Sequence, residues 1–566
     1  MPSRLASLAA ALVLGVTATA CGDNLHTIDA DPTVSMTRAF RTDDVAGCTW
    51  ASPVEVVIGT EALAVIATTE GVVVAYDRAG TERWRMTLPG PTGGRAWLAA
   101  TPAVVGDRLV VAWQDAIGEA RSAHHVAVID ATTGVLDPAF PTVTLAASAP
   151  GAGGDVAFLA SNNFSRAALV AAKRPGDELG VVYATFGNLR DIQPWHGWIF
   201  ELDLDAWRAG GNAIAGTLVT TPETDCGPPG DSGSDDRICG GGIWAPSGPT
   251  LVPTADSYEL WVPTGNGQLD LARHDYANTV MRVPPDLGFD PGCDPVACAS
   301  FDTSSPAEAC MASCADLFVP RLRPADPPLA PPGDRCAGLT LLECYGKLDL
   351  DLGADSPTRA VLHHGQAVGV LPAKDGAVYL FDAEHLGTML DRLQVREFCG
   401  AGANDCTANW AGTMVTRPVV TTIDGTAVAL VPTFYFDDHH AAGVVAIDLE
   451  APDGTPRLRE RWSAPARDSA EAVARFREHT GRLALVEHDG VAYAVIADPG
   501  AEHSKDGVLF LIRVRDGAIV ERGALDGPGH KYLEPLVMGD RVFVSSCDAI
   551  GAGPAHLEAW DLVTPP

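Results

Sequence analysis

Across its 566 residues the chain is short of positive charge, with 39 Lys and Arg against 72 Asp and Glu and a formal net charge of −33. A surface of that sign repels a phosphate backbone at every approach, which excludes DNA and RNA as partners. Beyond the N-terminal leader no apolar run is long enough to cross a bilayer. Sustained 3.6-residue patterns are almost absent, so long amphipathic helices are not expected. Catalytic signatures are missing too. There is no Gly-x-Ser-x-Gly elbow, no phosphate-binding Gly loop and no His-Glu-x-x-His, and nothing therefore points to a hydrolase or a nucleotide enzyme. No Cys-x-x-Cys-His occurs, which excludes a covalently attached haem.

What is present begins with an export signal. Arg4 precedes an uncharged run from Leu5 to Ala20 that ends in small residues before Cys21, the pattern of a leader covering residues 1–20. The stretch Ala18-Thr19-Ala20-Cys21 resembles a bacterial lipobox, with Ala18 where Leu is usual. The resemblance implies that Cys21 is lipidated and becomes the new N-terminus; an ordinary secretory signal cut nearby is the alternative. Residues 21–45 then read as a polar tether to a folded body at 46–566. Thirteen cysteines fit such an exported chain. The expected location is the cell envelope, at the outer membrane or cell surface, with the membrane contacted through the lipid.

Past residue 50 the hydrophobic runs are short and two-fold, as in Leu63 to Ala67, Val72 to Tyr76 and Val542 to Ser545, and Gly, Asp or Pro bound them. Asp375-Gly376, Asp424-Gly425 and Asp489-Gly490 sit where hairpins need positive φ. The chain is all-β. A repeat ends in a short apolar-x-Asp-like tripeptide before a Gly-containing turn. Its eight closings fall at Asp77, Asp130, Asp203, Val283, Asp382, Asp448, Val514 and Asp561, 47 to 99 residues apart. Four-stranded propeller blades need about 40–50 residues each. An eight-bladed β-propeller is expected, or seven blades if one degenerate copy is not a blade. Residues near Cys48 to Val57 are expected to complete the blade that ends at Asp561, closing the ring.

The widest gap holds a Cys/Pro-rich loop insert, residues 284–345, with Cys293, Cys298, Cys310, Cys314, Cys336 and Cys344. It is too poor in apolar residues to fold on its own core, so covalent staples are expected; in an oxidising compartment disulfides are favoured over a thiolate zinc site. Cys226 with Cys239, and Cys399 with Cys406, are natural loop-closing pairs, while Cys48 and Cys547 lie in the end segments and are placed to lock the ring.

The repeat at Ala64 to Met86, GNLRDIQPWHGWIFELD from Gly187, GGGIW from Gly240, PTGNG from Pro263, DLGADSP from Asp351 and AKDGAVYLFD from Ala373 follow one another in an order that resembles the quinoprotein alcohol dehydrogenase-like superfamily, the pyrroloquinoline quinone (PQQ) propellers. The resemblance implies a metal-ligating Asn at Asn266, a floor Trp at Trp244 and a quinone-polarising cation at Lys374. It also shows departures. The family's ligating Glu has no carboxylate at its place, with Asp191 one position away, and the general base has its nearest counterpart in Asp275, about two positions displaced. The adjacent cysteine pair of many such enzymes is absent. The expected function is thus a lipid-anchored envelope propeller that binds or scaffolds an envelope protein or small ligand without catalysis and without a cofactor. The alternatives are a PQQ- and Ca2+-dependent alcohol or sugar dehydrogenase, using Asn266, Asp191, Asp275, Trp244 and Lys374, and a scaffold lipoprotein of outer-membrane protein assembly.

Overall fold

The structure is a computed structural model that describes residues 34–564 except 152, 189–191, 225, 227–238, 327–328, 330–335, 349, 396–415, 434–442, 466–480, 500–506, 529 and 550. Cys21, Asp191, Cys399 and Cys406 lie outside the described residues. Antiparallel sheets succeed one another along the chain, each built on a four-strand meander; Val54–Ile58, Glu61–Ala67, Val72–Asp77 and Glu82–Thr87 make the first. All eight closings fall at, or within a few residues of, the end of a third strand, so each marks one blade and the blades number eight. The Asp has a local task. Asp77 Oδ1 accepts from the Ala79 and Thr81 amides, both at 2.9 Å, and Asp130 and Asp382 cap the same turn in their own blades.

The turn that follows explains the glycine. Gly80, Gly134 and Gly517 have φ of +85°, +71° and +75°, and an added Cβ would meet a ring of the preceding blade, Phe40, Trp84 or Trp462, at 2.7, 2.6 and 2.5 Å. Trp84 Nε1 also donates to Ala131 O at 2.6 Å. Each aromatic thus wedges one blade onto the next. Gly134→Ala combines a left-handed backbone with a steric clash and is expected to cost about 2 kcal/mol, read as a fall in thermal midpoint.

Ring closure differs from the expectation in its segment. The eighth blade consists of Leu536–Met538, Arg541–Ala549 and Ala552–Val563, and its outermost strand is Ser35–Arg41, paired with the last of these from Ser35–Val563 to Arg41–Glu558. Val54–Ile58, by contrast, begins the first blade. Ser35–Arg41 reads as tether because an outermost strand buries little; only Met36 is buried in it. The folded ring therefore begins within residues 21–45. Cys48–Cys547 bonds the two ends across a separation of 499 residues.

The insert is stapled by Cys293–Cys314, Cys298–Cys310 and Cys336–Cys344, and Cys226–Cys239 closes a separate loop. It is more than a loop. Leu317–Phe318 is the outermost strand of the fourth blade, pairing with Val280–Val283. Its apolar residues enter the cores of two blades, where Phe318 and Tyr345 pack with Tyr379 and Phe381, and Met311 and Leu317 with Met281. Where other blades dock an aromatic, the insert's backbone receives the fifth blade's turn: Leu386 N and Gly387 N donate to Ala315 O and Cys314 O at 2.9 Å.

Candidate functional site

In an antiparallel meander the loop between second and third strands and the linker to the next blade emerge at the same end. One face of the ring is therefore built from these segments, and Trp244, Asn266, Asp275, Asp351 and Lys374 all lie in them.

The motifs behind the resemblance are knotted together there by backbone bonds. Gly240 N donates to Trp195 O and Gly197 N to Gly240 O, each at 3.1 Å; Gly241 N donates to Asn266 O and Gly265 N to Gly242 O, each at 2.8 Å. A Cβ on Gly240 would stand 2.1 Å from Asn266 O, so this approach requires glycine. Asn266 does not adopt a left-handed φ. It is buried, its side chain has no hydrogen bond among the described residues, and its carbonyl anchors the knot.

Lys374 lies in the loop between the second and third strands of the fifth blade. Its ammonium is buried, donates to Asp351 Oδ2 at 2.8 Å and lies 4.5 Å from the centre of the Trp244 ring. Asp351 is fully buried, and its other oxygen accepts from Gly353 N at 2.7 Å. Gly265 abuts both Trp244 Nε1 and Asp351 Oδ1. The structure thus unites Trp244, Lys374 and the Gly265–Asn266 turn around Asp351, a residue to which the sequence reading gave no role. The quoted DLGADSP motif was the available signal.

Asp275 bonds to the adjoining segment, whose Thr221 Oγ1 donates to Gly240 O of the same knot at 2.9 Å. It is fully buried, Oδ1 accepts from Glu223 N at 2.9 Å, and burial pushes its carboxyl above the ordinary value. Its neighbourhood is the 221–226 segment, where His196 Nε2 lies 3.5 Å from Cys226 Sγ and Nδ1 3.0 Å from Thr221 Oγ1. The His196, Cys226 and Cys239 ligand atoms converge, but both sulfurs are held in the disulfide.

Burial pushes His124 and His196 down to about 4, so both are neutral at pH 7. Below about pH 6.5 the unfolded chain binds protons that the folded chain refuses; the stability from keeping these rings neutral is full above that value and falls as pH drops toward 4. Each ring contributes a slope of up to about 1.4 kcal/mol per pH unit in that window. His124→Gln is expected to flatten the fall in thermal midpoint between pH 6.5 and 4.5 relative to wild type.

No known family pattern matches the chain, and no curated protein sequence matches it. Among solved structures, a europium-containing methanol dehydrogenase superposes with a TM-score of 0.56 at 12% identity, covering 93% of each chain. The chain shares the propeller fold of that enzyme. A quinohemoprotein alcohol dehydrogenase from Comamonas testosteroni gives 0.50 at 12% identity over 93% of this chain and 76% of that one. BamB from Moraxella catarrhalis gives 0.45 at 13% over 93% and 97%, a score too low to carry an argument. At these identities the likeness establishes the fold alone.

Such folds raise the question of PQQ and a divalent ion, and the described side chains do not make a full site for them. A calcium ion takes about six to eight oxygen ligands. Among the described residues the place offers the Asn266 amide and the unbonded Asp275 Oδ2, while Asp275 Oδ1 accepts from Glu223 N and Asp351 is bound to Lys374, which falls short of that number. Lys374, the cation that would polarise a quinone, is neutralised by Asp351 and covers part of the indole that would floor it.

Proposed function

We propose that this chain is a lipid-anchored envelope propeller whose loop-built face binds a partner or small ligand, without a reaction of its own. The buried Lys374–Asp351 pair carries the reading, because it removes from use the one cation a quinone site would need. A cavity of about 370 Å³ on the same face, walled by Trp50, Trp97 and Phe164 and edged by Arg95 and Arg121, is large enough for a small molecule and supports binding there. Purified protein reconstituted with PQQ and calcium is expected to show no dye-linked oxidation of alcohols or sugars above buffer. Turnover that needs both additions contradicts the proposal and makes the chain a dehydrogenase.

The anchor is tested separately. Two or more acyl chains hold a protein on a membrane where one does not. Cys21→Ser is expected to release the protein from membranes and abolish incorporation of labelled palmitate. A Ser variant that still sediments with membranes contradicts lipidation at Cys21.

A further inference from the structure

The linkers that enter the innermost strands bring charged residues from distant parts of the sequence to one place on the ring. Arg482, in the linker to the seventh blade, donates through Nη2 to Ser52 Oγ at 2.6 Å, through Nη1 to Ser247 Oγ at 3.0 Å and through Nε to Tyr532 O at 3.0 Å. Its Nη1 also lies 3.0 Å from Glu534, a half-exposed carboxylate. Asp355, in the linker to the fifth blade, is buried, and its oxygens accept from Ser247 N and Oγ, Ser356 N and Arg417 N. Arg417 directs Nε to Thr358 Oγ1 at 3.2 Å.

Arg166, in the linker to the third blade, joins this group without an anion of its own. Its guanidinium lies 4.1 Å from the centre of the Tyr532 ring. Among the described residues it makes no ion pair, and Nη2 is buried without a hydrogen-bond partner. The neighbouring Ser165 Oγ and, at the entry to the sixth blade, Thr416 Oγ1 are buried and unpartnered as well. Arg166 senses the charges of both Asp355 and Arg482, and Arg417 those of Asp355, Glu534 and Arg482, so the five form one electrostatic cluster. Three cations face two carboxylates, in a chain that is otherwise strongly acidic. Burial pushes both Arg166 and Arg417 below their ordinary values although each keeps some exposure, the response expected of partly buried cations short of counter-charge. Stacking on Tyr532 offsets part of that cost and leaves Nη2 unbonded.

We infer that Arg166, with Arg417 and Arg482 around it, forms an anion site at the centre of the ring that takes the carboxylate or phosphate group of a small molecule. Planar guanidinium groups match both oxyanions, and the third cation supplies the charge that the protein's own carboxylates leave uncompensated. The site uses residues other than Trp244, Asp351 and Lys374, although Ser247 and Asp355 belong to the same linkers as Trp244 and Asp351, and the inference holds whether or not that cluster turns over a substrate.

The test uses the whole purified protein in calorimetric titrations with sodium phosphate and with sodium succinate at constant ionic strength, chloride being the reference. At least one oxyanion is expected to bind saturably. Phosphate alone assigns a phosphate ester, succinate alone a carboxylate, and both together the shared chemistry. Arg166→Gln is expected to weaken binding about tenfold, whereas Arg166→Lys keeps the charge and most of the affinity. The ligand-free Gln variant should melt no lower than wild type, because it removes an uncompensated charge, which separates lost binding from lost folding. Absence of saturable binding for both anions, or equal affinity in Arg166→Gln, overturns the site. Neither result bears on the dye-linked assay, so this inference and the proposed function fail separately.

Discussion

Lys374→Met is expected to destabilise the ring by about 3–5 kcal/mol, the cost of leaving one charge of a buried pair without its partner. Lys374 and Asp351 have side-chain exposures of 2% and 0%, so water cannot replace either when the other is removed. Asp351→Asn should lose a comparable amount, even though an amide oxygen can still accept from Gly353 N. The double replacement Lys374→Met with Asp351→Leu removes both charges and should recover most of the loss, since apolar substitutes for a whole buried pair are often neutral or better. The mutant cycle, read by chemical denaturation, is expected to show strong coupling. A Lys374→Met protein within about 0.5 kcal/mol of wild type, the range of ordinary surface substitutions, contradicts a closed pair and frees the lysine for chemistry.

Replacing Cys48 and Cys547 together by serine is expected to cost about 2–5 kcal/mol. The bond joins the segment between the closing strand and the first blade to Arg541–Ala549 of the eighth, so it links the ring's two ends covalently. Without it, closure rests on non-covalent contacts, among them the Ser35–Arg41 pairing, the Val45–Ala555 backbone bonds and the Phe40 contact with Phe543, rings 6.2 Å apart. The double-serine variant should melt well below wild type, with the first loss of structure at the closing strand by hydrogen exchange. Equal melting of the two proteins contradicts a locking role for the bond.

The fold was legible because its determinants are local. A two-fold apolar run, an Asp that caps its own turn and a glycine three to five residues later recur, as at Asp77, Asp130 and Asp382, and each is visible within one blade. Asp424 and Gly425, and Asp489 and Gly490, take the paired positive φ values that their dipeptides predict. The closing strand was missed because SMTRAFR buries little and resembles a tether. The insert's role was missed for the converse reason: its few apolar residues are too sparse for a core of their own, yet they complete the cores of neighbouring blades. The site was legible only in part. Trp244, Lys374 and Asn266 share a neighbourhood, but Asp351 is 23 residues from its lysine, and Asp275, close to the expected place in sequence, turns to another segment. Arg166 and Arg482 carry no motif; the ring alone brings them together.

Whether the loop-built face of this ring holds a quinone decides between a binding module and a dehydrogenase. Titrating the purified protein with PQQ in the presence of calcium, and following the quinone absorbance, addresses it directly. No stoichiometric, calcium-dependent binding is expected, because Lys374 is paired, Asp275 commits one oxygen to Glu223 N and the few oxygens left with the Asn266 amide cannot satisfy the ion. Tight calcium-dependent binding at one quinone per chain, abolished by both Asn266→Ala and Asp275→Ala, would contradict that account and restore the dehydrogenase.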